Sequence, residues 1–131
     1  MKPVVKSSEG ITYESPTPDR RRFRVLVDPR MSGSRSVAAG QLILMPETSQ
    51  PRAEAHTDTE EIYYCARGRG KLLLGGVKYL LEEGTAAYVG CGVEHQVFND
   101  GDTDLLMVWF ESPPSCEDGQ YKPMKLGWSR F

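Results

Sequence analysis

Cysteine pairs, long apolar runs and an appreciable net charge are all scarce in this 131-residue chain. Its three cysteines, Cys65, Cys91 and Cys116, are odd in number and form no CxxC pair. That argues against a disulfide framework and for a reducing compartment, so the cytoplasm is the expected location. No apolar run approaches the roughly 18 residues of a membrane-spanning helix. The N-terminal stretch MKPVVKSSEGITYESPTP lacks the apolar core of a secretory signal. A formal net charge of −2 gives nucleic-acid binding no general electrostatic support. A sustained 3.6-residue period and internal repeats are absent too.

What the chain does have is punctuation. Thirteen glycines and nine prolines separate short apolar runs spaced about ten residues apart, the rhythm of an all-β sandwich or barrel. Residues 1–22 are polar and proline-rich and are expected to form an arm or an edge strand. The barrel is expected over 23–112, and a tail over 113–131 that packs on the barrel or on a partner. RRRFRVLVDP reads as a strand whose arginines, Arg20 to Arg22, form a solvated strand edge rather than a phosphate site. MSGSRS reads as a loop, VAAGQLILMP as a strand, ETSQPRA as a loop and EIYYCARG as a strand. GKLLLGGVKYLLEEG is expected to be a hairpin turning at Gly75-Gly76. TAAYVGCG and VEHQVFN follow as strands, the second ending in an Asn-Asp-Gly turn. DLLMVWFESPP, the longest apolar run, predicts a central strand buried on both faces. Two faces stay open in register: Gln41, Ile43 and Met45 against Leu42 and Leu44, and Met107 and Trp109 against Leu106, Val108 and Phe110. Cys65 and Cys91 are expected to pack as small hydrophobes. Trp128 and Phe131 in the tail are expected to dock on the barrel or on a sister subunit.

The chain holds only two histidines, and each lies beside strand chemistry. In an extended segment, residues two apart point the same way, so Glu54 and His56 share a face. Glu61, Tyr63 and Cys65 share one face of the next strand, and His95, Val97 and Asn99 one face of a later strand. A lone histidine in a small domain is more often packed or at the surface than a ligand. Two imidazoles and one or two carboxylates converging inside a barrel, however, suit a divalent first-row metal.

The spacing resembles the small single-domain cupins. The first cupin motif, G-x5-H-x-H-x(3–4)-E-x6-G, is met by Glu54 at the first histidine position, His56, Glu61 and Gly68, with Thr48 for the opening glycine. The second, G-x5-P-x-G-x2-H-x3-N, is met by Gly84, Gly92, His95 and Asn99, with Gly90 for the proline. The segment between them, Lys71 to Glu83, is short. The resemblance covers roughly 37–111 and implies a double-stranded β-helix, the cupin jelly-roll barrel. It implies metal ligation by His56, Glu61 and His95, with Glu54 either a fourth, oxygen ligand or set back. Oxygen-rich ligation favours Fe or Mn, with Ni or Zn as alternatives.

Tyr63 shares the inward face of Glu61 and is the candidate general base or acid; its other reading is an aromatic that fills the barrel. The spacing Glu61-x-Tyr63-x4-Gly68 and the segment FRVLVDP are also similar to the cupin lyases that cleave dimethylsulfoniopropionate. Tyr121 is read as a lid or second acid, or as a residue docked on the surface. Cupins host many chemistries. The function expected is a metal-dependent enzyme acting on a small polar carboxylate or carbonyl compound, a lyase or isomerase, with O2-dependent cleavage also compatible. The alternative is a non-catalytic small-molecule-binding or regulatory cupin. A homodimer is expected, with neither nucleic acid nor membrane as partner.

Overall fold

The computed structural model describes residues 1–14, 21–50, 53–114, 116–117, 120–121 and 129–130. Thirteen strands are described: β1 (Ile11–Glu14), β2 (Arg21–Val27), β3 (Ala38–Leu44), β4 (Thr48–Ser49), β5 (Glu60–Arg67), β6 (Arg69–Leu74), β7 (Val77–Glu82), β8 (Ala86–Val89), β9 (His95–Asn99), β10 (Leu105–Ser112), β11 (Cys116–Glu117), β12 (Gln120–Tyr121) and β13 (Ser129–Arg130). A single helical turn, α1 (Pro29–Ser32), follows β2. One sheet has the order β13-β1-β2-β3-β10-β5-β8 and a second has the order β4-β9-β6-β7, with every pairing antiparallel. These form the jelly-roll barrel, with β11 and β12 a separate small ribbon. Among the described residues no helix is long and apolar enough to cross a membrane.

Alternation fixes which side chains enter the barrel, because successive residues of a strand face opposite ways. Ala38, Leu42 and Leu44 of β3 point in, as do Leu105, Met107 and Trp109 of β10. The second sheet contributes Leu72, Leu81 and Val97 to the same core. Gln41, Ile43, Leu106, Val108 and Phe110 take the outer face. Trp109 lies directly opposite Gly40 in the β3–β10 register and stacks on Phe23 with ring centroids 5.0 Å apart. A Cβ at position 40 would run into both the indole ring and the Arg24 carbonyl.

The hairpin forms at Gly75-Gly76, with φ of 56° and 85° and Leu74 opposite Val77. These are the left-handed angles that a two-residue hairpin turn demands. At the end of β9, Asn99 holds the Asn-Asp-Gly turn. Its amide donates to the carbonyls of Leu44 and Thr103, and its Oδ1 accepts from the Gly101 N–H.

Four expectations are corrected. β10 is central but buried on its inner face alone: Phe110 is 46% exposed, because among the described residues no second layer covers the outer face of this sheet. Arg21 and Arg22 are not at a strand edge. β1 pairs outside β2 as far as Arg22, and Arg21, opposite Leu44 of β3, is buried; Arg20 lies outside the described residues. The MSGSRS loop begins with the last two residues of α1, whose first turn is capped by the Asp28 carboxylate accepting from the Met31 N–H at 2.7 Å. Cys65 packs in the core as expected, but Cys91 is exposed, since it sits in the turn before β9 rather than on a strand. Trp128, Phe131 and the Tyr121 side chain lie outside the described residues.

Candidate metal centre

The site is assembled by a short backbone bridge. Glu54 and His95 exchange both main-chain hydrogen bonds: Glu54 N–H to the His95 carbonyl at 2.9 Å, and His95 N–H to the Glu54 carbonyl at 2.8 Å. Directly opposed antiparallel residues point to the same face, so this bridge sets the carboxylate beside the imidazole. Two residues on, the His56 carbonyl accepts from the Gly92 N–H at 2.7 Å, which ties the second imidazole to the same turn. Glu54, His56 and His95 each bring one ligand atom within 4.8 Å of the others. Glu61 enters from β5. Its Oε1 lies 2.8 Å from His56 Nε2 and its Oε2 3.9 Å from His95 Nε2. Three of the four residues read from the motif spacing therefore form one compact group, and Glu61 stands beside its two imidazoles. The imidazole centroids are 5.3 Å apart, and the Tyr63 ring lies 5.8 Å from His95.

His95 is the most informative member. It is fully buried, and its Nδ1 lies 3.1 Å from the Val93 carbonyl. A carbonyl can only accept, so Nδ1 donates to it and Nε2 is the nitrogen turned toward the site. That Nε2 is buried without a hydrogen-bond partner. Such an orphan is costly in a protein interior, and the arrangement is that of a metal-binding histidine whose far nitrogen is fixed by a backbone carbonyl. The donor set of two imidazole nitrogens and two carboxylates fits a divalent first-row ion.

The charges at the site lean on one another. The hydrogen bond to Glu61 raises the His56 imidazole above its ordinary pKa, against the opposing effect of burial. Burial by itself would push the Glu61 carboxyl up, but the hydrogen bond from His56, the nearby imidazoles and the hydrogen bond from Tyr63 together hold it below its ordinary value. Burial foremost, and then the charge and hydrogen bond of Glu61, push the Tyr63 phenol well above its ordinary value. Tyr63 is thus a protonated donor here and not a phenolate.

The sequence reading missed Glu111. It is buried on the inner face of β10, directly opposite Glu61, and its charge reaches both His56 and Tyr63. The signal was available: Glu111 continues the alternation of Leu105, Met107 and Trp109, so a strand with that face inward carries its glutamate into the barrel.

A jelly-roll barrel that gathers histidines and carboxylates able to hold a divalent ion defines a class of small barrel proteins. The Cupin domain family model matches residues 40–111, and the chain belongs to the cupin family. It is 29% identical over 103 residues to the uncharacterized protein MJ1618 of Methanocaldococcus jannaschii, covering 78% of this chain and 82% of that one. Among solved structures, it is similar to a predicted oxalate decarboxylase from Thermotoga maritima, with 25% identity, a TM-score of 0.72 and coverage of 84% and 98%. The polyketide cyclase RemF from Streptomyces resistomycificus shares the fold at 18% identity, with a TM-score of 0.72 and coverage of 95% and 94%.

Proposed function

We propose that the chain is a metal-dependent cupin enzyme acting on a small polar carbonyl or carboxylate compound, as a lyase or isomerase in preference to an O2-dependent cleaving enzyme. The observation that carries this reading is the buried, unpartnered His95 Nε2 facing Glu54, His56 and Glu61. Similarity to the predicted oxalate decarboxylase supports it. His95, His56, Glu61 and Glu54 would hold the ion, and equal numbers of nitrogen and oxygen donors favour Fe or Mn over Zn or Ni. A divalent ion bound there would supply Lewis acidity toward a carbonyl or carboxylate oxygen.

The chain's own residues do the rest. Val93 fixes the tautomer of His95, and the Glu54–His95 bridge fixes where the carboxylate stands. Burial and the acids around it push the Tyr63 phenol well above its ordinary value, which favours a proton on its hydroxyl oxygen. It is the group that can hand a proton to a substrate atom as a bond to that atom breaks. Met107, Trp109 and Leu42 pack the barrel beyond the site and exclude water from that side.

The test is elemental analysis of tag-free protein after reconstitution with Fe(II) and Mn(II). Close to one equivalent of metal is expected, and less than about a tenth of an equivalent overturns the reading. A protein that binds metal but turns over no substrate with or without Tyr63 is the binding cupin of the alternative.

We also propose that the chain forms a homodimer. On the outer face, Phe110, Ile62 and Tyr88 stand opposite one another across β10, β5 and β8, with exposures of 46%, 47% and 60%. A second copy presents the identical row, so a two-fold pairing of these faces is self-complementary. The cysteine usage, with Cys91 free and exposed, supports a cytoplasmic setting.

A further inference from the structure

The acid at position 54 decides the charge of the centre, and that charge bears on which substrates can enter. Coordinating imidazoles are neutral and coordinating carboxylates are ionised. His56 and His95 therefore contribute no charge, while Glu54 and Glu61 contribute one negative charge each. Together they cancel a divalent ion. Glu111, which has partners of its own, is left out of this sum, but its carboxyl faces the same space.

A second observation is independent of the sum. Anionic groups are normally received by arginine or lysine. Among the described residues the buried cationic side chain is Arg21, and it is at the other end of the barrel. It lies opposite Leu44 on β3, whereas Glu111 lies opposite Ala38 at the far end of that strand. Gathered at the site are two imidazoles, the carboxyls of Glu54, Glu61 and Glu111, and the Tyr63 ring 5.8 Å from His95, whose hydroxyl can donate to a carbonyl oxygen.

We propose that Glu54 makes this a charge-neutral centre that takes an uncharged carbonyl compound and discriminates against carboxylate anions such as oxalate. The proposal rests on the metal-enzyme reading and narrows its substrate class. It also separates this chain from its oxalate-decarboxylase-like neighbour in what it would accept.

The test uses three probes with one skeleton and rising charge: oxamide, oxamate and oxalate. The full-length chain is loaded with Co(II), loading is confirmed by elemental analysis, and each probe is titrated against the visible absorption of the bound ion. The same titrations are run on Glu54→Gln and on Glu54→His, the latter keeping a donor at position 54 should the former lose its metal. Removing the charge at 54 is expected to tighten oxalate at least about tenfold, to tighten oxamate by about the square root of that factor, and to leave oxamide within about threefold, because the interaction scales with the product of the charges. A gain for oxalate below about threefold in metal-loaded variants, or an equal gain for all three probes, overturns the proposal. Failure of the wild-type chain to take up Co(II) overturns the metal-enzyme reading instead, before any probe is added.

Discussion

Metal and proton compete for the same nitrogen of His56. Its Nε2 lies 2.8 Å from Glu61 Oε1, and this hydrogen bond holds the imidazole above its ordinary pKa. A coordinating imidazole must be unprotonated. Below the raised pKa, binding an ion therefore expels one proton, and apparent affinity climbs about tenfold, or about 1.4 kcal/mol, per pH unit. Above that pKa the dependence flattens. Metal-free stability runs the other way. A raised histidine contributes fully below its unfolded value near 6.5 and loses that contribution as pH rises through the folded value. Glu61 is held low, so its contribution is present above the ordinary carboxylate value and is lost as pH falls through the depressed one. The pair therefore favours the metal-free fold most in the mildly acidic window between the two. The assay is calorimetric titration with Mn(II) at about pH 6, 7 and 8, each in two buffers of different ionisation enthalpy so that released protons are counted. Close to one proton should leave at the lowest pH and fewer at the highest. Release of none at the lowest pH, or an affinity indifferent to pH, refutes the reasoning.

Three further outcomes follow from the structure. Gly40→Ala drives a methyl into the Trp109 ring and the Arg24 carbonyl and should cost about 1–3 kcal/mol, read as a lowered thermal midpoint; an unchanged midpoint means that the β3–β10 contact is looser than described. Tyr63→Phe should leave the midpoint within a few degrees and, once a substrate is in hand, lower turnover by about 10²–10⁴-fold; a rate within a few fold of wild type removes Tyr63 from proton transfer. Multi-angle light scattering should give a dimer for the wild-type chain and a monomer for the double variant Ile62→Glu, Phe110→Glu. A wild-type monomer, or a dimer indifferent to the two charges, refutes the proposed interface.

Glu54, His56, Glu61 and His95 were legible in the sequence because motif spacing is a consequence of strand geometry. Each residue sits at a fixed count from a turn, and a strand side chain has only two directions to take. Tyr63 and Cys65 followed from Glu61 by the same count of two. Alternation alone could not say which face of β3 or β10 turns inward, and Glu111 was missed for that reason. Choosing between two equally apolar faces requires the facing sheet. The arginines at the start of β2 were misjudged because β1, which pairs beside Arg22 and makes β2 an inner strand, carries no strong apolar pattern of its own.

By itself, the sequence determined the class of fold, the positions of the candidate ligands and the acid at position 54, since these depend on residue type and on counting along strands. The tertiary structure alone decided three things. It showed which nitrogen of His95 is tied to the backbone, because that depends on the distance from Nδ1 to the Val93 carbonyl. It showed that Tyr63 keeps its proton, because burial and Glu61 act through space. It also brought Glu111 to the site, because cross-strand register places it opposite Glu61, fifty residues earlier in the chain. Each is a relation between groups distant in sequence, and such relations are set when the strands pair.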